Sequence, residues 1–440
     1  MDISEKPALA QAISHLMART GCTIPKNIES DYLKGSARAL AAYEKVDTPM
    51  ASLPALVRYA IVARSYLAQP NADCFYDIFR CARFIPLLRV LDRAVTILDT
   101  RSPRGLEDRV NRLAANRESD GFEASLFELV TAAAYARLAD SGTLEFIPEN
   151  TDGAKPDFSV HLAETTFVEC KKFDRTTDYH AELREEMRSK LHPILHKFHS
   201  LRRAVRVELT IHGDPTVLAT QELETACLDS FRRGGAVICP TYTLLVCPIP
   251  SPDCSTSWLY PSPKWFKERY DYTANGSWDG LVQAISATFR GPSFLDEVDW
   301  DSAILWRVLE SEATWKRKRI GYARLFKGLD QLASRGTHTA LHACFERENS
   351  IGHRQAELRR FVNEAELKGK HATWLVFNEL AIGVSAGGRF DFTEHSHYLG
   401  QGTAPPVIAV FSGDEDIKGS SEADRDWGVG VALPAIDEEG

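Results

Sequence analysis

The sequence has no CxxC cysteine pair, no leader-like start, no membrane-length apolar run and no surplus of positive charge. Each absence narrows what the protein can do. Its nine cysteines are scattered, the nearest grouping being Cys239, Cys247 and Cys254. Structural zinc sites use closer paired spacings, so free thiols in a reducing compartment are expected. The opening stretch MDISEKPALAQ carries neither a basic start nor an apolar core, so no secretory leader is expected. No window approaches about eighteen uninterrupted apolar residues. No membrane association is expected, and the cytoplasm is the expected compartment. A net charge of −9 counts mildly against a protein that coats nucleic acid by overall charge, while leaving room for a local basic cleft. No Walker loop, GxSxG elbow or GxGxxG turn is present, so nucleotide-cradling and serine-hydrolase chemistry has no motif to rest on. No internal repeat is visible.

What is present is an ordinary globular composition, 44% apolar and 26% charged over 440 residues, long enough for two or three units. Residues 1 to about 118 carry apolar residues at three- and four-residue spacing, in PALAQAISHLMART, LPALVRYAIVARSYLA and FIPLLRVLDRAVTILD. That period predicts helices throughout, with Pro- and Gly-containing breaks at KVDTPMAS and TRSPRG. An all-α N-terminal domain for assembly or regulation is expected, and its helices are the natural interface for a homodimer or a partner protein.

From about residue 119 the texture changes. An Ala-rich helix, GFEASLFELVTAAAYARLADSG, should end at Gly142. A short strand TLEFIP, a loop, a hairpin, a charged helix and a strand AVRVELTIHG follow, an order that fits one mixed α/β sheet. The span 214–315 reads as an elaboration of that sheet domain. A basic helix, WKRKRIGYARLFKGLDQLASRG, then leads into the strand HTALHACFE, and a further helix and strand repeat the rhythm through ATWLVFN. The sheet domain is expected to run over 119–412, with an acidic Ser/Gly-rich tail over 413–440.

The hairpin KPDFSVHLAETTFVECKKF raises the functional question, because sheet interiors deplete Asp, Glu and Lys. Alternation puts Phe167, Glu169 and Lys171 on one face, with Val168 and Cys170 on the other. A turn around 163–165 would bring Asp157 beside Glu169 and Lys171. Two adjacent carboxylates repel unless a cation or proton relieves them. Mg²⁺ suits that demand, since it takes oxygen ligands and keeps several waters. An amine beside such an ion can orient water or steady charge growing on phosphorus, which is the equipment of phosphodiester hydrolysis.

Pro156 and Asp157, a spacer of eleven residues, then Glu169, Cys170 and Lys171, preceded by a helix bearing Phe127 and Glu128, resemble the PD-(D/E)xK nucleases. The resemblance covers roughly residues 119–212 and resumes around 316–331. It implies a restriction-endonuclease-like mixed sheet flanked by helices. It also implies Mg²⁺ (or Mn²⁺) held by Asp157, Glu169 and the Cys170 carbonyl, with Lys171 as catalytic lysine. The family's helix glutamate falls on Glu128, which is the expected site residue; wheel geometry brings Glu123 nearer the apolar arc and keeps it in reserve. The expected substrate is nucleic acid, DNA ahead of RNA by family habit, and a bacterial antiviral defence role would accord with it. Expected nucleic-acid contacts are Lys172, the run Lys316, Arg317, Lys318 and Arg319, and Gln331; the basic stretch 196–206 is a second source of positive charge. The competing reading is a nuclease-like module that binds nucleic acid silently or cuts only when a partner releases it. Glu394, His395 and His397 in EHSH read as a surface feature.

Overall fold

The protein is described here from a computed structural model, which describes residues 6–36, 50–68, 78–148, 155–173, 178–250, 258–259, 263–272, 278–289, 294–309, 315–316, 322–333, 335, 338–346, 351–384, 390–400, 405–411 and 431–432. The elements run α1 (Lys6–Thr20), α2 (Lys26–Ser36), α3 (Ala55–Ala68), α4 (Ile78–Arg101), α5 (Leu106–Ala115), α6 (Ser119–Leu138), β1 (Leu144–Phe146), β2 (Phe158–His161) and β3 (Thr165–Lys172). Next come α7 (Asp178–Ser200), β4 (Val205–Ile211), α8 (Thr220–Arg233), β5 (Val237–Ile238), β6 (Tyr242–Pro248), β7 (Trp258–Leu259), α9 (Pro263–Tyr270), β8 (Gly280–Phe289) and β9 (Phe294–Val308). The chain closes with α10 (Ala323–Leu332), β10 (Thr339–Glu346), α11 (Ile351–Leu367), β11 (Trp374–Val384), β12 (Phe390–Gly400) and β13 (Val431–Ala432). It is a mixed α/β architecture: N-terminal helices, and sheets flanked by helices. Among the described residues no helix is long and apolar enough to cross a membrane.

The chain divides into two compact units. The first takes Met1–Arg175, Arg324–Arg347 and Asn363–Gly440. Its seven strands run in the order β1-β2-β3-β10-β11-β12-β13. β3, β10 and β11 are parallel, and hairpin-type antiparallel pairs flank them. Every residue of β10 is buried, as expected of a central parallel strand covered on both faces. α6 is apolar nearly all round, from Phe122 to Ala136, which marks a helix inside a core. It ends at Leu138; Gly142 sits beyond it, at φ 80° in the turn before β1, where a side chain would strain the backbone.

The helices before residue 119 belong to this unit and pack onto its sheet side chain by side chain. Tyr59 Oη donates to Glu123 Oε1 at 2.5 Å, and Arg93 donates to the Phe411 carbonyl at 2.7 Å. These helices pack on one another, and α4 carries the group onto α6, β11 and β12.

The second unit takes Thr176–Ala323 and Glu348–Val362. Its six-stranded sheet has the order β5-β6-β4-β9-β7, with β8 on β9. Here the single-sheet expectation needs correction. β4 pairs with β6 and β9 and not with the sheet holding β3. α7 explains this, because Leu183, Met187, Leu191, Ile194, Leu195 and Phe198 share a core with Val205, Val207, Leu209 and Ile211 of β4. The span 214–315 thus joins α7 and β4 in a sheet with its own core. The 413–440 tail lies outside the described residues apart from 431–432.

Candidate active site

The Pro-Asp pair opens β2 because the backbone there has no ladder position to give up. Pro156 has no N–H to pair, and the following residue takes every bond. Asp157 N donates to Val168 O at 3.0 Å, and its carbonyl accepts from Ile147 N at 2.9 Å. Its carboxylate accepts from Cys170 N at 2.7 Å. The strand register sets Phe158 opposite Val168, so Asp157 faces the end of β3 as the hairpin geometry predicts.

Within β3, side chains alternate between two environments. Glu169 is fully buried and pairs through Oε1 with the Lys171 ammonium. Its Oε2 is buried and has no hydrogen-bond partner among the described residues. Burial and the neighbouring Asp157 push this carboxyl up to about 9 against the pull of Lys171. Lys171 loses stabilisation by burial, yet Glu169 and Asp157 raise it above its ordinary value. α10 packs on this face through Gly328. A methyl there would lie 3.4 Å from Glu169 Cγ and Lys171 Cε, and 2.9 Å from Leu341 Cδ1. With glycine there the helix lies this close without displacing the Leu341 side chain.

The opposite face of β3 points at α6. The Cys170 thiol is partly buried, and desolvation, then Asp157, Glu128 and Glu169, raise it well above the thiol range, so it is an inert thiol. Lys172 corrects an expectation. It is buried, donates to the Phe173 carbonyl at 2.7 Å and lies 3.5 Å from both Glu123 and Glu346. The period-2 rule sends Lys171 and Lys172 to opposite faces, so Lys172 is buried away from the Glu169–Lys171 face.

The two helix glutamates separate in the same way. Glu123 belongs to the Lys172 cluster, where Arg83 forks onto it at 2.7 and 2.9 Å and also pairs with Glu346. Glu128 is buried on the Asp157 side. Burial and Asp157 push it up to about 8, opposed by Arg112 and Arg109. Arg109 pairs with its Oε1 at 3.0 Å, and Arg112 with its Oε2. Sequence reading missed both arginines. Arg109 sits among Leu106, Val110 and Leu113 on the buried face of α5, and a cation on an apolar arc was the one visible signal.

Gln331 donates to the Lys155 carbonyl at 2.7 Å, bracing the approach to Pro156. Lys316 is exposed and helical, while Arg317, Lys318 and Arg319 lie outside the described residues. The EHSH stretch also needs correction, because Glu394 is buried rather than superficial. It accepts from Asn378 Nδ2, Val410 N and Phe411 N, each at 2.9 Å.

Among the described residues, no group of three or more His, Cys, Asp and Glu side chains is arranged to hold a metal ion. What converges is a pair of carboxylates, Asp157 and Glu169, with an amine beside them. No family model matches the chain, no curated protein matches it, and no solved structure matches its fold.

Proposed function

We propose that the protein is a Mg²⁺-dependent nuclease of the PD-(D/E)xK, restriction-endonuclease-like type, hydrolysing phosphodiester bonds of nucleic acid, DNA ahead of RNA. One observation carries the reading: a buried Glu169 oxygen without a hydrogen-bond partner among the described residues, beside Asp157, with Lys171 on the same strand face. An orphaned carboxylate oxygen in that setting is costly unless a cation completes it. Two carboxylates are also enough for an ion that keeps most of its waters, so the donor set fits Mg²⁺ (or Mn²⁺). Asp157 and Glu169 would hold it, with the Cys170 carbonyl as a third oxygen. Bound there, the ion would supply Lewis-acid polarisation of a phosphoryl oxygen and activation of water.

The chain's own residues do the rest. Asp157 is held by its main chain and by the Cys170 amide, so its carboxylate needs no reorganisation when substrate arrives. The Lys171 side chain is 19% exposed against 0% for Glu169, which makes it the group able to donate to a phosphoryl oxygen as negative charge grows there. Gln331 keeps the segment before Pro156 in place.

A second reading has an observation of its own. Glu169 is paired by Lys171 and Glu128 by two arginines, so the cluster is internally neutralised. That suits a nuclease-like module that is silent, or that cuts only when a partner opens it. A homodimer or protein partner engaging the N-terminal helices remains part of this proposal. Plasmid and RNA incubated with Mg²⁺, with and without host lysate, test both readings. Cleavage by wild type alone supports the first and cleavage only with lysate the second. Nucleic acid left intact throughout, together with no Mn²⁺ bound, defeats the nuclease assignment.

A further inference from the structure

The helix expected to lie in a separate N-terminal domain sends a buried cation into the candidate site. α5 is amphipathic, and its inward face reads Leu106, Arg109, Val110 and Leu113. Three of these are apolar and the fourth is an arginine only 5% exposed. Burying a guanidinium is costly, and such a group persists only where its donors are matched by acceptors. Arg109 has them. Its Nη2 donates to the Ile147 carbonyl at 2.7 Å and to the Asp157 carbonyl at 3.2 Å. Its Nη1 pairs with Glu128 Oε1 at 3.0 Å, and its guanidinium carbon lies 5.7 Å from the centre of the Phe146 ring.

One planar group therefore touches four segments: its own helix, α6 through Glu128, the end of β1, and the residue that opens β2. Asp157 is the point of this arrangement. Its carbonyl takes both Ile147 N and Arg109 Nη2, while its carboxylate takes Cys170 N. The side chain can point at Glu169 only if the main chain behind it is fixed, and Arg109 is the side chain that fixes it from behind. Lysine could not do this, since a single ammonium cannot face two carbonyls and a carboxylate in one plane.

We propose that Arg109 is a positioning residue of the site, setting the Asp157 main chain and the Glu128 carboxylate against each other. The functional half of this inference rests on the nuclease reading above; the geometric half does not. The helices ahead of the sheet are then part of the catalytic apparatus.

The test uses full-length wild type, Arg109→Lys and Arg112→Gln, the last removing only the partly exposed partner of Glu128. Hydrogen exchange is followed by mass spectrometry together with Mn²⁺ calorimetry and cleavage kinetics. Arg109→Lys should speed exchange in the segment 144–158 while β10 stays protected. It should lower Mn²⁺ affinity or kcat by about 10- to 100-fold, the scale of losing an outer-shell partner, with KM for nucleic acid unchanged. Arg112→Gln should leave exchange at 144–158 as in wild type, because Arg112 pairs with Glu128 Oε2, whereas the Asp157 carbonyl takes Ile147 N and Arg109 Nη2. Unchanged exchange in Arg109→Lys would overturn the proposal, as would equal loosening in both variants. Should Arg109→Lys fail to fold, Glu128→Gln reads the same bracket from its other end, and exchange at 144–158 identical to wild type would count against it. Wild type that binds no Mn²⁺ and cuts nothing defeats the nuclease reading, while the exchange result still decides whether Arg109 fixes Asp157.

Discussion

Glu169 and Lys171 stand two residues apart on one face of β3, joined through Oε1 and Nζ, with Glu169 Oε2 left without a hydrogen-bond partner among the described residues. Asp157 faces them across the hairpin, tied to the intervening Cys170 amide. The expected behaviour of the site follows from this three-residue arrangement.

Asp157→Ala and Glu169→Ala should each abolish Mn²⁺ binding and cleavage together, because each removes one of two carboxylates. Calorimetry with Mn²⁺ checks it, and unchanged affinity in both variants would remove the metal assignment.

Lys171→Ala should keep Mn²⁺ binding yet lower kcat by roughly two orders of magnitude, the loss typical of one transition-state donor. Single-turnover kinetics on a saturating oligonucleotide measures it. A rate near wild type would reduce Lys171 to a partner of Glu169.

Glu169 gives the folded chain a pH dependence of definite sign. Its carboxyl is raised from 4.5 to about 9, by burial first and Asp157 second. The folded state therefore binds a proton that the unfolded state has released, and stability falls as pH rises through that window. Urea unfolding of wild type and Glu169→Gln from pH 5 to 9 should show a steeper decline for wild type. Parallel curves would contradict the shift.

On the other face of β3, Lys172→Met should destabilise without touching nucleic-acid affinity. It leaves Glu123 and Glu346 short of a cation in a buried cluster, at a cost of about 3–5 kcal/mol. Urea midpoints should drop while the salt slope of binding stays at its wild-type value.

His342 supplies the opposite pH sign. It is fully buried, Tyr135 Oη lies 3.1 Å from its Nε2, and Asn378 Oδ1 lies 3.4 Å from its Nδ1. Asn378 Nδ2 is committed to Glu394 and Ser396, so Oδ1 accepts and the proton of neutral His342 sits on Nδ1. Burial lowers the ring from 6.5 to about 4. The unfolded chain then binds a proton that the folded chain refuses, costing up to about 1.4 kcal/mol per pH unit as pH falls between those values. A His342→Gln variant that still folds should lose this part of the acid sensitivity.

The sequence made the hairpin legible because two local signals agree there: period-2 alternation, and a Pro-Asp pair where a strand should begin. The separation of Lys171 from Lys172 follows from the same alternation, and applying it would have removed Lys172 from the phosphate contacts. β4 was not legible in the same way. Val205, Val207, Leu209 and Ile211 alternate identically whichever sheet receives them, and only α7 packing against them settles the partner. Arg109 was hidden for another reason. Its role is to satisfy carbonyls at Ile147 and Asp157, and acceptors of the main chain leave no mark in a sequence.

Because ionic groups lie on both faces of β3, the strand behaves like text with a reading frame. Shifted by one residue, it would turn Glu169 and Lys171 toward α6 and carry Lys172 to the Gly328 face, away from Glu123 and Glu346. A misread strand thus loses both charge clusters in one error, and the chain that folds at all folds with its acids already in place.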